Sequence, residues 1–173
     1  MTWRTRRRAA PARHNERMPS PRAWVASLDE AEAVADLLVQ FRDHMDRDWP
    51  SANAFLANVE RLMEDPDTEY LLAAPHDDAP PAGVCQLRFR FGIWLAGLDC
   101  WLEDLYVTEA ARGSGLGAAL MELAIGRARA RDAKRIELDV SDANGAAMAL
   151  YGRFGLTSGK YAGGREVVMG LKL

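Results

Sequence analysis

The chain has 173 residues, 49% hydrophobic and 27% charged, the size and composition of one globular domain with at most a tail. Two cysteines, Cys85 and Cys100, make no disulfide framework. Three scattered histidines (His14, His44, His76) make no zinc-ligand spacing, and no apolar run reaches the ~18 residues of a membrane span. The formal charge of −3 averages two unlike pieces: residues 1–17 hold six arginines and one acid, for +5, and the other 16 basic and 24 acidic residues carry −8.

Residues 1–19 read as a disordered basic tail and residues 20–173 as the folded domain. The arginines of the tail (Arg4, Arg6, Arg7, Arg8, Arg13, Arg17) are open to three readings. They could form a nucleic-acid arm, a transit peptide without an evident amphipathic face, or an upstream translation start before Met18. No apolar segment of a secretory signal follows them. A reducing cytoplasm is the expected compartment.

In chain order, Arg22 to Ser27 predicts a short strand, and Ser27 with Glu30 forms a capping box. A helix follows with Val34, Leu37, Leu38, Phe41 and Met45 on one face, ended by Trp49-Pro50. Ser51 caps a second helix with Phe55, Val59, Leu62 and Met63 on its apolar face, stopped by Asp65-Pro66. Glu69 to Ala74 predicts a strand, and Pro75 to Pro81 a turn. Two longer strands, about Ala82 to Phe91 and Leu98 to Val107, pair as a hairpin. Leu116, Leu120, Leu123 and Ala124 mark a third helix, and Ile136 to Val140 a short buried strand. Ala146 to Phe154 is a fourth helix ended by Gly155. Leu156 to Tyr161 and Glu166 to Leu171 fit a closing hairpin. The order is βααβββαβαββ, one mixed α/β domain.

The strand-to-helix junction Val107-Thr-Glu-Ala-Ala-Arg112-Gly113-Ser114-Gly115-Leu116-Gly117 carries most of the information. Its three glycines permit unusual backbone and close approach of a ligand. The first amides of the helix lack internal partners and sit at the positive end of its dipole, which suits phosphate. Arg112 can add a charged contact. A plain glycine turn is the alternative. The P-loop pattern is absent. The dinucleotide pattern G-x-G-x-x-A does match at Gly113, Gly115 and Ala118, with Asp139 beyond the next strand. Only 34 residues follow Asp139, too few to finish a doubly wound sheet.

Arg112-x-x-Gly115-x-Gly117 resembles the R/Q-x-x-G-x-G/A loop of the GNAT superfamily of N-acetyltransferases. Asn144 to Leu156 (NGAAMALYGRFGL) is similar to that superfamily's N-x-x-A-x-x-[LF]-Y-x-x-x-G-F segment, with Leu156 where Phe is commoner. Trp101 to Val107 is similar to the LEDLYV strand of the polyamine and small-amine acetylases. The resemblance spans about Ser20 to Leu171 and implies a single mixed sheet of the acyl-CoA N-acyltransferase type.

It also implies acetyl-coenzyme A (acetyl-CoA) as acyl donor, no metal, and direct transfer to a primary amine in a ternary complex. By resemblance the amides of Arg112, Gly113, Ser114, Gly115, Leu116 and Gly117 hold the pyrophosphate. Pantetheine fills a gap between splayed strands, pairing with backbone near Leu105, Tyr106 and Val107 and touching Asn144. Tyr151 protonates the departing thiolate; a core aromatic is its plainer reading. An alkyl amine has a pKa near 10.4, so it needs a base. Glu103 is the first candidate and Asp104 the second, each otherwise an ordinary surface acid. Neighbouring strand residues face opposite sides, so only one meets the cleft unless a bulge intervenes.

The region around the first two helices holds Asp43, Asp46, Asp48, Glu60, Glu64, Asp65, Asp67 and Glu69. Such an excess of acid points to a small cationic amine, a polyamine or a basic amino acid, with Trp49 as a wall; a solvated acidic face is the plainer reading. Cys85 and Cys100 read as core residues. Leu87-Arg88-Phe89-Arg90-Phe91 reads as a strand with a polar face rather than a nucleic-acid patch. Only the basic tail hints at nucleic acid, and no membrane partner is expected. A homodimer is expected from the family. The alternatives are a non-catalytic CoA-binding sensor or interaction module, and a dinucleotide-binding oxidoreductase.

Overall fold

The computed structural model describes residues 20–158. Strand β1 (Arg22–Val25) leads into the Ser27–Glu30 turn, where Ser27 N–H donates to the Glu30 carboxylate at 2.9 Å and Trp24 Nε1–H donates to it at 2.8 Å. That clamp launches helix α1 (Ala31–His44). Helix α2 (Ala52–Met63) starts where the Ser51 hydroxyl accepts from the Ala54 amide. Strands β2 (Thr68–Ala74), β3 (Gly83–Gly92) and β4 (Gly97–Val107) follow, then helix α3 (Leu116–Ala130), strand β5 (Arg135–Glu137) and helix α4 (Gly145–Arg153). The expected closing hairpin lies almost wholly outside the described residues, which end at Ser158.

The sheet has the order β1-β2-β3-β4-β5. Its first four strands are antiparallel meander neighbours, and β5 joins β4 in parallel. Among the described residues this is the one parallel pair, unlike the sheet of a dinucleotide-binding fold, where the glycine turn closes a parallel βαβ unit.

Two cores cover the two faces. On one, Leu71, Ala73, Cys85, Leu87, Phe89, Cys100 and Leu102 meet Leu116, Leu120, Met121, Ala124 and Ala128 of α3. On the other, Tyr70, Leu72, Val84 and Tyr106 meet Val34, Leu37, Leu38 and Val59 of α1 and α2. The period-2 alternation of the strands separates the sets: Leu71 and Ala73 face α3, Tyr70 and Leu72 face α1. In α3 Met121 is fully buried along with Leu120 and Ala124, while Leu123 only flanks the core. Met45 falls past the end of α1 and is exposed, so the apolar face of that helix closes at Phe41. Phe41 stacks on Tyr106 with 5.2 Å between ring centroids.

Ion pairs fix the periphery. Glu69 accepts two bonds from Arg127 of α3, at 2.7 and 2.8 Å, and Arg131 reaches Asp67 at 2.8 Å. At the far end of β4, Asp99 is 2% exposed and accepts from both Arg90 and Arg135. Burial works to raise its pKa, but the bonds from Arg135 and Arg90 outweigh burial and hold it below the usual value. A carboxylate with a lowered folded pKa stabilises the fold above its ordinary pKa and loses that contribution as pH falls through the folded value. Asp99→Ala is therefore expected to cost about 3 kcal/mol of unfolding free energy at pH 7, with the deficit shrinking below about pH 4. Urea denaturation at several pH values measures both.

Candidate active site

The β3–β4 ladder contains one irregularity. Gln86 stands opposite Asp104 and Leu87 opposite Leu102, so Glu103 has no partner across the ladder. This β-bulge shifts the alternation of β4 by one. Before it, Cys100 and Leu102 face α3. After it, Leu105 and Val107 do, while Tyr106 turns to α1. Glu103 and Asp104 therefore share the α1–α2 face. The bulge named as the exception in the sequence analysis is present, and both acids flank the same cleft. Tyr70 lies across the sheet in the same row, opposite Gln86. Its hydroxyl is held protonated by burial first, then by Asp104, with a smaller push from Glu103.

The two acids differ. Glu103 is exposed, whereas Asp104 is half-buried. Burial pushes the pKa of Asp104 up, and the neighbouring Glu103 charge adds to the push.

The edge of β4 beyond the bulge is open. The parallel ladder to β5 runs only through Asp99–Arg135, Cys100–Ile136 and Trp101–Glu137. The strand expected to reach Val140 stops at Glu137, so among the described residues nothing pairs with Leu102–Val107 on that side. An extended amide-bearing chain fits such an edge.

The glycine loop follows directly. Gly113 and Gly115 take φ of +81° and +91°, a left-handed backbone that other residues rarely adopt. Gly115 is the N-cap of α3 and offers no side-chain cap. The amides of Arg112 and Ser114 donate to the carbonyls of Glu109 and Ala111 within the turn. Those of Gly113, Gly115, Leu116 and Gly117 find no acceptor among the described residues. This cradle of amides at a helix start fits a diphosphate. A Cβ on Gly117 would stand 3.2 Å from Leu150 Cδ2, so that glycine also lets α4 pack against α3. Arg112 donates to the Val107 carbonyl at 3.3 Å and meets His44 Nε2 at 3.1 Å; Glu109 lies 3.5 Å from His44 Nδ1. The loop is thereby tied to the end of α1, a link that no sequence spacing announces.

On α4, Tyr151 is half-buried against the α3-side core. Burial, then the nearby Cys85, raises its pKa and keeps its hydroxyl protonated at neutral pH. Asn144 is the N-cap of this helix, its Oδ1 accepting from the Ala147 amide at 3.1 Å. It stands just before the helix, with ψ of 74°, so helical spacing does not carry its direction to that of Tyr151. Tyr151 and the carboxylate pair thus approach the open end of β4 from opposite faces of the sheet. Among the described residues no group of three His, Cys, Asp or Glu side chains could hold a metal.

Residues 31–156 match the acetyltransferase (GNAT) family. The chain belongs to that family. A Bacillus subtilis (strain 168) protein provisionally named as a ribosomal protein bS18-alanine N-acetyltransferase is 32% identical over 98 residues, 57% of this chain and 60% of that one. A Beutenbergia cavernae mycothiol acetyltransferase is 37% identical over 90 residues, 50% of this chain and 28% of that protein. The chain thus spans less than two thirds of either curated relative. A crystal structure of an Arthrobacter sp. FB24 protein provisionally named an acetyltransferase superposes with a TM-score of 0.74 at 27% identity, covering 87% of this chain and 94% of that one. The mixed α/β fold expected from the motifs is the GNAT fold. No helix among the described residues is long and apolar enough to cross a membrane.

The half-buried carboxylate gives a testable consequence. A carboxylate whose folded pKa is raised destabilises the fold as pH rises from its ordinary value through the raised one. Asp104→Asn is expected to melt higher than the wild type at pH 7, with the difference vanishing below about pH 4. Calorimetry across pH checks it, and a lower melting temperature at pH 7 would contradict the assignment.

Proposed function

We propose that this GNAT domain transfers an acetyl group from acetyl-CoA to a primary amine by direct attack. Bound acetyl-CoA supplies the acyl group as a thioester, activated towards nucleophiles. The amides of Gly113, Gly115, Leu116 and Gly117 bind the diphosphate, with Arg112 adding positive charge. The free edge at Leu105, Tyr106 and Val107 aligns the pantetheine arm, and Asn144 is placed at the start of α4 to meet it. The open β4 edge between two titratable faces is the observation that carries this reading.

Asp104, with its raised proton affinity, accepts the proton of the incoming ammonium. Exposed Glu103 passes that proton on to solvent. Tyr151, kept protonated by burial, gives its phenolic proton to the leaving sulfur. The base and the acid act from opposite faces, so neither neutralises the other directly. A CoA-binding module without turnover has no need of this opposed pair.

The acceptor is less simply read. Of the acids expected to gather a cation, Asp65 pairs with Arg88, Asp67 with Arg131, Glu69 with Arg127 and Arg131, and Asp43 with Arg42. Glu69 lies on the α3 face, between Arg127 and Arg131, away from the α1–α2 side. Four of the eight acids are thus neutralised by arginine, while Asp46, Asp48, Glu60 and Glu64 make no ion pair among the described residues, so the acid count alone does not set the class of amine. A homodimer and a cytoplasmic setting are carried over from the family and from the paucity of cysteine as parts of the same proposal.

Tyr151→Phe is expected to lower kcat about 10²-fold with little change in acetyl-CoA affinity, followed by thiol release with a panel of amines. An unchanged rate removes Tyr151 as the acid. Gly115→Asp sets a carboxylate and a strained φ where the diphosphate binds. It is expected to weaken acetyl-CoA binding about 10²-fold by calorimetric titration; equal affinity refutes the loop assignment.

A further inference from the structure

A cavity of about 570 Å³ opens on the α1–α2 side of the sheet, lined by Asn58, Arg61 and Leu62 of α2, Asp65 beyond it, and Arg88 of β3. Its charge is unusual for a domain that is acidic outside its tail. Two guanidinium groups face one carboxylate. That carboxylate is already engaged: Asp65 accepts from the Asp67 amide at 3.0 Å and from the Thr68 hydroxyl at 3.1 Å. Its distance to Arg88 is 3.6 Å, an ion pair too long for a hydrogen bond. Among the described residues the Arg88 side chain makes no hydrogen bond, and its Nε is buried without a partner. Buried donors in folded proteins are nearly always satisfied, so this one needs an explanation. The guanidinium as a whole is not sealed, since 42% of the Arg88 side chain is exposed. Arg61 is exposed on the cavity wall and makes no ion pair among the described residues.

The cavity also has a place relative to the acids. Arg88 pairs across the sheet with Thr68 on one side and Trp101 on the other, in the row next to Tyr70, Gln86 and Asp104 on the same face. Two residues along a strand separate the rows by roughly 6.6 Å. A molecule seated on Arg88 therefore extends naturally to the Glu103–Asp104 pair.

We propose that this cavity is an acceptor subsite for a carboxylate, gripped end-on by the Nη atoms of Arg88 and supported by Arg61. The acceptor is then an amine that carries a carboxylate several bonds away, an amino acid or a peptide with an acidic group. This rests on the acetyl-transfer reading above and narrows its substrate class. A carboxylate in the cavity meets the open end of the Arg88 side chain, accepting from its two Nη atoms. Asn58 offers an amide to the same group. A polyamine finds no such partner and meets two positive charges instead.

The test uses the full chain and matched probes. Each amino acid is compared with its carboxamide as an acceptor in thiol release from acetyl-CoA, in the wild type, Arg88→Gln and Arg61→Gln. The expected result is a KM about tenfold lower for an acid than for its amide in the wild type, and an acid-to-amide KM ratio near one in Arg88→Gln. Equal use of acid and amide by the wild type, with turnover intact, overturns the carboxylate subsite and leaves acetyl transfer standing. A second measurement needs no turnover: melting shifts with N-acetyl amino acids and with their amides. The acids are expected to stabilise the wild type and not Arg88→Gln. If they do so while no amine is acetylated, the subsite stands and the transfer reading falls. If acids and amides shift the wild type equally, or neither shifts it, the subsite is refuted. Arg88→Lys keeps the charge without the fork and is expected to restore the acid preference only in part; full restoration would mean that a point charge suffices and overturn the forked grip.

Discussion

Between Gln86 and Leu87 the partner strand β4 carries one residue too many, and that residue is Glu103. A strict alternation would send Glu103 and Asp104 to opposite faces. The bulge puts them on one face and still returns Leu105 and Val107 to the α3 core and Tyr106 to the α1 core. Both halves of β4 stay packed, so the irregularity costs little apolar burial. In return it places exposed Glu103 beside half-buried Asp104, and it is burial first, with the neighbouring charge added, that raises the proton affinity of Asp104.

The same strand ends its partnership with β5 early. The ladder closes at Trp101 and Glu137, where the Asp99–Arg90–Arg135 network ties the strands together. Beyond that anchor β4 runs on for six residues, Leu102 to Val107, with a bare edge. The anchor and the opening are complementary: a firmly paired base lets the upper halves diverge without loss of register. The glycine loop begins where the bare edge ends, so edge and amide cradle form one continuous surface. His44 joins it to α1 through Arg112.

Charge is organised by the tertiary structure more than by composition. Of the acidic stretch from Asp43 to Glu69, four acids (Asp43, Asp65, Asp67 and Glu69) become separate arginine pairs on different faces. What remains open on the α1–α2 side is a cavity with more arginine than acid. The polarity of a site depends on which charges are left unneutralised there, and linear density says nothing of that.

Much of this domain was legible before folding. The capping residues Ser27 and Ser51, the apolar faces of α1 and α2, the glycine loop at a strand-to-helix junction and the motif around Tyr151 are local or periodic signals. Local backbone chemistry and helix or strand period are properties of neighbouring residues, so the chain alone determined the element order, the family and the candidate loop. The extra residue of β4, the early end of β5, the His44–Arg112 contact and the Arg88–Asp65 pair were decided only by tertiary structure. Each depends on register between strands or on partners 20 to 70 residues apart, and no pattern along one segment encodes which residue of another segment will stand opposite it.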